Sequence, residues 1–437
     1  MKYYLLLFVL MGLLSCVSEE NSTMKKEPSQ EPLVSQTKKS VLPLSRNELY
    51  DKVLGMLVGS AIGDAMGAPT EMWSRQDIAV DYGFVEKLDT MVREPSAEGT
   101  WDYNLPAGGT TDDTRWKKLL TEFLLTQSEE LSAEDFAEYI VQQYEQEIQQ
   151  LKQTDGFDPE PFEVNVRRMA WLQEWARVAK SYADGDLDEY SYALSRFYGG
   201  EMTCAGMLYA PSIGAFYPAQ PEKAYEETYK LAIFDLGFAR DISGLVGAMV
   251  AAAMQPDATP ETVINTLRDV DPEGYFKSRL VGRTAYRLLK DARRIVDASK
   301  QPILESEMLE MEVPMSTHFD TLTFQQMQRA FLLLDAKNQD LPFHASEIFL
   351  INLTALLFCD FDFAKSMVFV VNFGRDNDTT AAVTGAILGA YWGASQLPEE
   401  MVTSVLSVND TLLDTNLEQL ANQLTDKILA RYPGSAL

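Results

Sequence analysis

Two short segments, far apart in the chain, each place carboxylates and threonine hydroxyls at the predicted start of a helix. The first is residues 108–114 (GGTTDDT) and the second is residues 374–379 (GRDNDT). Their hard oxygen donors, with no His or Cys among them, suit Mg²⁺, Mn²⁺ or Ca²⁺ and disfavour Zn²⁺. Either segment alone is equally well explained as a helix N-cap. Their duplication favours a shared metal site, because metal cations would offset the repulsion between clustered carboxylates.

The helices that would position these segments carry small residues at every fourth position. Positions four apart share one face of an α-helix, so each helix has a face that is almost free of side chains. Glycine costs about 1 kcal/mol per residue in an isolated helix, which is explained if the two backbones pack closely. Similar GxxxG patterns occur in membrane helices, but the apolar run here is too short to span a bilayer. The two small-residue faces consist of Gly55, Gly59, Gly63 and Gly67, and of Ala381, Gly385, Gly389 and Gly393.

The remaining hydrophobic pattern predicts an all-α domain without an internal repeat. A capping box at residues 45–48 (SRNE) predicts the start of the first helix, and Pro69 its end. Residues 199–211 read as a loop, 299–325 as an insertion, and 368–371 as the only short β-like run. Arg279, Arg283 and Arg287 form a basic stripe that we interpret as a solvated face. Further helices are predicted at 116–126, 133–182 with a break at 154–161, 222–254, 260–298, 349–358, 363–371 and 417–432.

Composition and the N-terminus indicate an exported protein. The net charge of −28 over 437 residues argues against nucleic acid and anionic lipid as partners of the surface as a whole. Residues 1–16 read as a bacterial lipoprotein signal peptide ending at Cys16, and 17–46 as a disordered tether before a domain at 47–437. We therefore expect a lipid anchor at the cell envelope, in the outer membrane, with possible surface exposure. An ordinary secretory signal is the alternative. Cys204 and Cys359 are expected to be small core residues.

Three segments in this order closely resemble motifs of the ADP-ribosylglycohydrolase family: residues 59–71 (GSAIGDAMGAPTE), 108–114, and 374–393 (GRDNDTTAAVTGAILGAYWG). The resemblance extends over residues 47–430. It implies a single compact multi-helix all-α domain with a binuclear Mg²⁺ site, where Mn²⁺ is the alternative ion. On this chain, one side of the metal pair would be Thr111, Asp112 and Asp113, and the other Asp376, Asp378 and Thr379. Glu71 falls where family members carry a functional carboxylate, and it is the expected catalytic residue.

Expected substrate contacts lie at positions where the chain partly departs from the family pattern. Leu208 stands where many members have Arg, and Phe234-Asp235 replaces a Thr-His pair. Arg375 stands where Gly is usual, which adds a cation beside the metals. The expected metal-ligand positions match the family pattern. The resemblance therefore supports the family's type of reaction more strongly than it supports the family's substrate. The predicted substrate-binding residues are Asp64, Tyr209, Asp235, Gly374 and Arg375.

The resemblance implies a Mg²⁺-dependent glycohydrolase that cleaves an N- or O-linked ribosyl bond. The substrate would be ADP-ribose on a protein, or a small ADP-ribosyl or nucleoside conjugate. Metals would orient ribose and water, and Glu71 would act as acid or base through an oxocarbenium-like transition state. Asp376 and Asp378 also fit the D-x-D-x-T motif of haloacid-dehalogenase-type phosphatases, but that fold needs strands. An EF-hand fits poorly, because Ala381 stands at its glycine position. A non-catalytic lipoprotein that binds ADP-ribose-like ligands, or is purely structural, is the remaining alternative.

Overall fold

A computed structural model describes residues 42–128, 130–154, 159–302 and 316–432, which fall within one compact unit. The predicted signal peptide with Cys16, most of the tether, and much of the predicted 299–325 insertion lie outside the described residues. Leu42 and Leu44 are buried in the main core. The folded domain therefore begins before residue 47, and the predicted tether is shorter at its C-terminal end.

The described residues form helices joined by loops and short 3₁₀ turns, and they contain three isolated β-bridges but no strand. This confirms the all-α prediction, and the dehalogenase-type fold is excluded for this part of the chain. None of the described helices has the length and apolar character needed to cross a membrane. The helices are α1 (Arg46–Gly67), α2 (Arg75–Asp81), α3 (Asp112–Thr126), α4 (Ala133–Gln153), α5 (Pro159–Ala170), α6 (Gln173–Ala183), α7 (Leu187–Leu194), α8 (Ala205–Phe216), α9 (Pro221–Leu231), α10 (Ala239–Ala253), α11 (Pro260–Asp269), α12 (Thr284–Ser299), α13 (Thr321–Asp335), α14 (Ala345–Phe358), α15 (Phe363–Phe373), α16 (Asn377–Trp392), α17 (Glu399–Leu412) and α18 (Leu417–Ala430).

The centre of the fold is the pairing of α1 with α16 through their small-residue faces. The predicted capping box starts α1, with the Ser45 side chain accepting from the Glu48 backbone N–H. A Cβ added to Gly59 would lie 2.4 Å from the Gly385 carbonyl oxygen, and one added to Gly63 would lie 2.1 Å from that of Ala381. No side chain fits at such distances, so the predicted close approach of the two backbones is confirmed.

Tertiary burial decided the backbone conformation at two places where the local sequence is ambiguous. Residues 368–371 have a β-like sequence, but they lie inside α15 with all four side chains buried, which confirms the helix predicted at 363–371. Residues 205–211 were predicted as a loop, but they belong to α8, whose side chains are buried all round. In addition, α16 begins at Asn377, so Asp378 and Thr379 lie in its first turn.

The basic stripe is also not a uniform solvated face. Arg279 and Arg287 are exposed, whereas Arg283 is buried and pairs with the buried Asp241 at 2.6 Å. Arg283 also donates to the Leu267 carbonyl oxygen at 3.1 Å. It fixes the start of α12 against α10 and α11, and it takes no part in a surface charge pattern.

Candidate metal and active site

A cavity of about 200 Å³ lies where α3, α8 and α16 begin, beside the segment that follows α1. Five residues predicted to be catalytic or metal-binding line it, although they come from three separate parts of the sequence. Its remaining wall is largely apolar and aromatic. The predicted lining residues are Glu71, Asp112, Asp376, Asp378 and Thr379, and the others are Met72, Glu98, Trp175, Tyr198, Thr203, Cys204, Ala205, Leu208 and Phe343.

Hydrogen bonds between threonines and aspartates join the two acidic segments behind the cavity. Thr379 Oγ1 donates to Asp113 Oδ2 at 2.9 Å, and Thr111 Oγ1, which lies closer to Asp64, is 3.4 Å from Asp378 Oδ2. Thr111 and Asp113 are buried and do not line the cavity themselves. The structure thus brings all six predicted metal ligands to one place, with four of them on the cavity wall.

Asp64 holds the first acidic segment in position. Its carboxylate accepts hydrogen bonds from the backbone N–H groups of Thr111 and Thr114, at 2.9 and 3.0 Å. It also accepts from the Thr111 and Thr114 hydroxyls, at 3.0 and 2.5 Å. Asp64 is fully buried and engaged by these donors. The structure therefore gives Asp64 a capping role at the start of α3, while its contact with a substrate stays a prediction.

Burial and mutual repulsion make these carboxylates difficult to ionise together. Burial, reinforced by the charge of Glu71, raises the pKa of Asp376 from 3.8 to about 7. Burial, reinforced by the charge of Asp113, raises the pKa of Asp64 to about 7 as well. The pKa values of Asp112 and Asp378 are also raised well above the usual range, first by burial and then by neighbouring carboxylates. Such a cluster is stabilised by cations.

The predicted ligands offer carboxylate and hydroxyl oxygens, which suit a hard divalent cation, although these oxygens do not form a compact cluster. Within the described ranges, no group of three or more His, Cys, Asp or Glu side chains has the arrangement of a metal site. Asp378 Oδ1 is nevertheless buried without a hydrogen-bond partner among the described residues. Burial raises the pKa of the Cys204 thiol on the cavity wall, so this group stays protonated and leaves the carboxylate oxygens as the available ligands.

Glu71 lies just after the 3₁₀ turn Ala68–Thr70, where the chain leaves α1. Its carboxylate forms a close ion pair with Arg93, which also donates to the Ala68 carbonyl oxygen at 3.1 Å. Sequence reasoning missed Arg93 and also Glu98, which adds a carboxylate to the cavity wall. Both lie in the irregular segment between α2 and α3, where no periodic pattern marks them.

Four other predicted substrate contacts do not line the cavity. The Tyr209 hydroxyl donates to the Leu231 carbonyl oxygen at 3.0 Å, and Asp235 accepts from the Ser243 hydroxyl at 2.6 Å. Arg375 pairs with the buried Glu347 at 2.6 Å, and so is not the cation predicted beside the metals. Gly374 has φ +82° and packs against the Trp73 backbone. The structure places these four residues outside the lining of the cavity, and their contact with a substrate stays a prediction.

Aromatic residues that sequence reasoning did not identify line the cavity together with the carboxylates. Tyr198 adopts a left-handed conformation with φ +43°, and its hydroxyl accepts a hydrogen bond from Trp175 Nε1 at 3.3 Å. Phe343 lies next to Tyr198, with 6.2 Å between the ring centroids. These rings and Leu208 add apolar surface to a cavity that the carboxylates make acidic, which suits a ligand with a polar group and a flat apolar group.

Comparisons with known proteins identify the family and the fold of the chain. The sequence profile of the ADP-ribosylglycohydrolase family matches residues 45–434. The uncharacterized protein YegU of Escherichia coli is 32% identical over 75 residues, which span 17% of this chain and 21% of that relative. A solved structure of an ADP-ribosylglycohydrolase-related protein complex superposes with a TM-score of 0.52. It is 18% identical, and the match covers 87% of this chain and 99% of that one, so it shows the shared fold. The chain belongs to the ADP-ribosylglycohydrolase family, a membership that supports a hydrolase of glycosidic bonds.

Proposed function

We propose that this protein is a divalent-metal-dependent glycohydrolase that cleaves the N- or O-linked bond of an ADP-ribosyl or ribosyl substrate, with Mg²⁺ as the physiological ion. The observation that carries the proposal is the convergence of Glu71, Asp112, Asp376 and Asp378 on one cavity. Burial alone would disfavour this concentration of carboxylates, so a structural role explains it poorly. A metal-dependent active site explains both the acidity and the apolar wall opposite.

The ligands for the cation would be Asp112, Asp376, Asp378 and Thr379. Bound there, a divalent ion would orient ribose hydroxyls and water, and it would offset the charge of the carboxylates. Glu71 would exchange a proton with the water or the leaving group, since it lies on the cavity wall and Arg93 holds its carboxylate. The ring of Tyr198 would contact the substrate on the opposite side. This arrangement supports hydrolysis through an oxocarbenium-like transition state.

The volume of the cavity favours recognition of one sugar ring. At about 200 Å³ it is smaller than the roughly 300–1,000 Å³ of pockets that enclose drug-sized ligands. The ribose at the scissile bond would lie inside, and the remaining part of an ADP-ribosyl group would lie outside. The nature of the leaving group then depends on residues at the mouth of the cavity.

The test is a divalent-metal titration followed by a substrate screen. Protein stripped with EDTA is titrated with Mg²⁺ or Mn²⁺ and then incubated with ADP-ribosylated arginine and serine peptides, ADP-ribose conjugates and nucleosides. We expect release of ribose or ADP-ribose that requires metal and is lost in Glu71→Gln. The matched control is Glu94→Gln, at an exposed carboxylate outside the cavity. Release without metal, or equal rates for both variants, would contradict the proposal.

One observation favours a binding protein as the second candidate. Leu208 lines the cavity where many family members are expected to carry Arg, which changes the recognition surface while the carboxylates remain. A binder would retain ADP-ribose in calorimetry, show no turnover over the whole substrate panel, and show no change in turnover upon Leu208→Arg. Metal-dependent turnover would exclude this candidate.

We also propose attachment to the cell envelope through a lipid on Cys16. The proposal is supported by the signal-like segment ending at that residue and by the polar stretch that follows it. Replacing Cys16 by Ser should move the protein from the membrane fraction to the soluble fraction. Continued membrane association of the variant would point to a different anchor.

A further inference from the structure

Lys117 is a buried lysine at the candidate metal site, and sequence reasoning gave it no role. Only 2% of its side chain is exposed, and its Nζ lies 3.1 Å from Asp113 Oδ1, whose side chain is 1% exposed. Lysine is almost never fully buried unless it is paired. The two residues lie four positions apart on α3, so the helix fixes the ammonium group beside the Asp113 carboxylate.

The two acidic segments differ in how their oxygens are satisfied. Asp113 has both carboxylate oxygens engaged, because Oδ1 accepts from Lys117 and Oδ2 accepts from the Thr379 hydroxyl at 2.9 Å. Asp378 Oδ1 is buried and has no hydrogen-bond partner among the described residues. A divalent cation would therefore find a free oxygen on Asp378, whereas on Asp113 it would compete with an ammonium group at Oδ1 and with a hydroxyl at Oδ2.

We infer that the Lys117 ammonium occupies the place of one of the two cations that the family resemblance implies, so that this site binds a single divalent ion. Lys117 supplies a fixed positive charge on the Asp113 side. The ion is held on the cavity side, by oxygens of Asp112, Asp376 and Asp378. This inference rests on the proposed metal-dependent function and specifies how many ions that function uses.

The burial of Lys117 explains why the ammonium would not simply move away when metal is added. Trp116, the preceding residue, is fully buried, and the Lys117 carbonyl oxygen accepts from the buried Ser212 hydroxyl at 3.4 Å. The backbone of Lys117 is thus fixed within the core, and expulsion of its side chain would leave a void in a densely packed region. Replacement of the ammonium by a second ion is disfavoured as long as lysine is present.

The experiment counts ions in the full-length folded protein with Mn²⁺ as the probe. EDTA-stripped wild type is titrated by calorimetry, and its Mn²⁺ electron paramagnetic resonance spectrum reports isolated or exchange-coupled ions. We expect one Mn²⁺ per chain with the spectrum of an isolated ion. Lys117→Met, which retains the length of the side chain and frees Asp113, should raise the count to two and produce coupling. The matched control Lys118→Met, at the neighbouring residue that donates to the Asp414 carbonyl oxygen at 2.5 Å, should leave the count at one.

Each outcome distinguishes this inference from the proposed function. Two ions in the wild type would overturn the inference and leave a metal-dependent hydrolase intact. A folded Lys117→Met protein that still binds one ion would overturn it as well. If Lys117→Met does not fold, the wild-type count decides alone. No ion in the wild type would overturn both the inference and the proposed metal site, whereas one ion without turnover would overturn only the proposed activity.

Discussion

Gly67→Ala should disturb the metal site directly, because the last residue of α1 lies against the start of α16. A Cβ added to Gly67 would lie 2.4 Å from Asp378 Cα and 2.5 Å from Asp378 N. Gly55→Ala is the matched control at the other end of the same helix pair. Its added Cβ would lie 2.3 Å from the Gly389 carbonyl oxygen, far along α16 from the acidic segment. Both variants collide with backbone, but only Gly67→Ala displaces a predicted metal ligand.

The expected loss of stability follows from these contacts. Introducing a methyl group into a packed core costs about 1–3 kcal/mol of folding free energy. The upper part of that range applies here, because the added methyl group would meet backbone atoms, which cannot move aside as a side chain can. Higher helix propensity of Ala returns up to about 1 kcal/mol, so the net loss is about 2 kcal/mol. An unfolding entropy of about 2.1 cal/mol/K per residue gives roughly 0.8 kcal/mol per degree for a unit of this size. We therefore expect both variants to melt about 2–3 °C lower.

Calorimetric melting and Mn²⁺ titration of the two variants separate stability from site geometry. Gly67→Ala should weaken Mn²⁺ binding by about 10–100-fold, in the range seen when support of a metal ligand is removed. Gly55→Ala should retain wild-type affinity despite a similar loss of stability. Equal Mn²⁺ affinities in the two variants would refute the idea that Gly67 positions Asp378. An unchanged melting temperature in both would refute the close packing itself.

Three further perturbations test the positioning of Glu71, the buried ion pair and the acidity of the site. Arg93→Ala should lower kcat about 100-fold, because Glu71 loses the group that holds it, while a Mn²⁺ titration should show affinity that is not weakened. Arg283→Met should lower the free energy of unfolding in urea by about 3–5 kcal/mol, because it leaves Asp241 buried and unpaired. A raised pKa of about 7 at Asp376 means that the folded protein holds a proton that the unfolded chain releases near pH 3.8. The free energy of unfolding of metal-free protein should therefore fall as pH rises from about 4 to 7, and urea titrations with saturating Mg²⁺ should show a smaller fall.

The pairing of α1 with α16 could be predicted from the sequence alone, because the pattern that indicates it is local and periodic in each helix. Small residues at every fourth position could be explained only by a close backbone approach, and the structure places Gly59 against Gly385 as expected. The acidic segments could be located for a similar reason, since each combines a helix start with adjacent oxygen donors. Their convergence could be predicted only by adding a resemblance to a family, because more than 250 residues separate Asp113 from Asp376.

The remaining parts of the site depend on tertiary contacts that have no local signature. Arg93 lies in an irregular loop, and its importance follows only from its position beside Glu71. Arg283 looked like one member of an exposed stripe, yet its partner Asp241 lies 42 positions away on another helix. Lys117 fits the polar side of an amphipathic helix by type, but the Asp113 carboxylate pairs with it in the interior. The partner of a charged residue in a helix can be identified only when the fold is known.

The end of α1 connects the stability of the fold to the chemistry of the site. Within eight positions, the end of α1 and the turn that follows it carry Asp64, which caps α3, Gly67, which lies against Asp378, and Glu71, which lines the cavity. A change in the packing of α1 on α16 would therefore move a cap, a predicted ligand and the candidate acid–base group together. Substitutions that open the helix pair at this end should then impair metal binding and catalysis in parallel, whereas loss of the distant Arg283–Asp241 pair should affect stability alone.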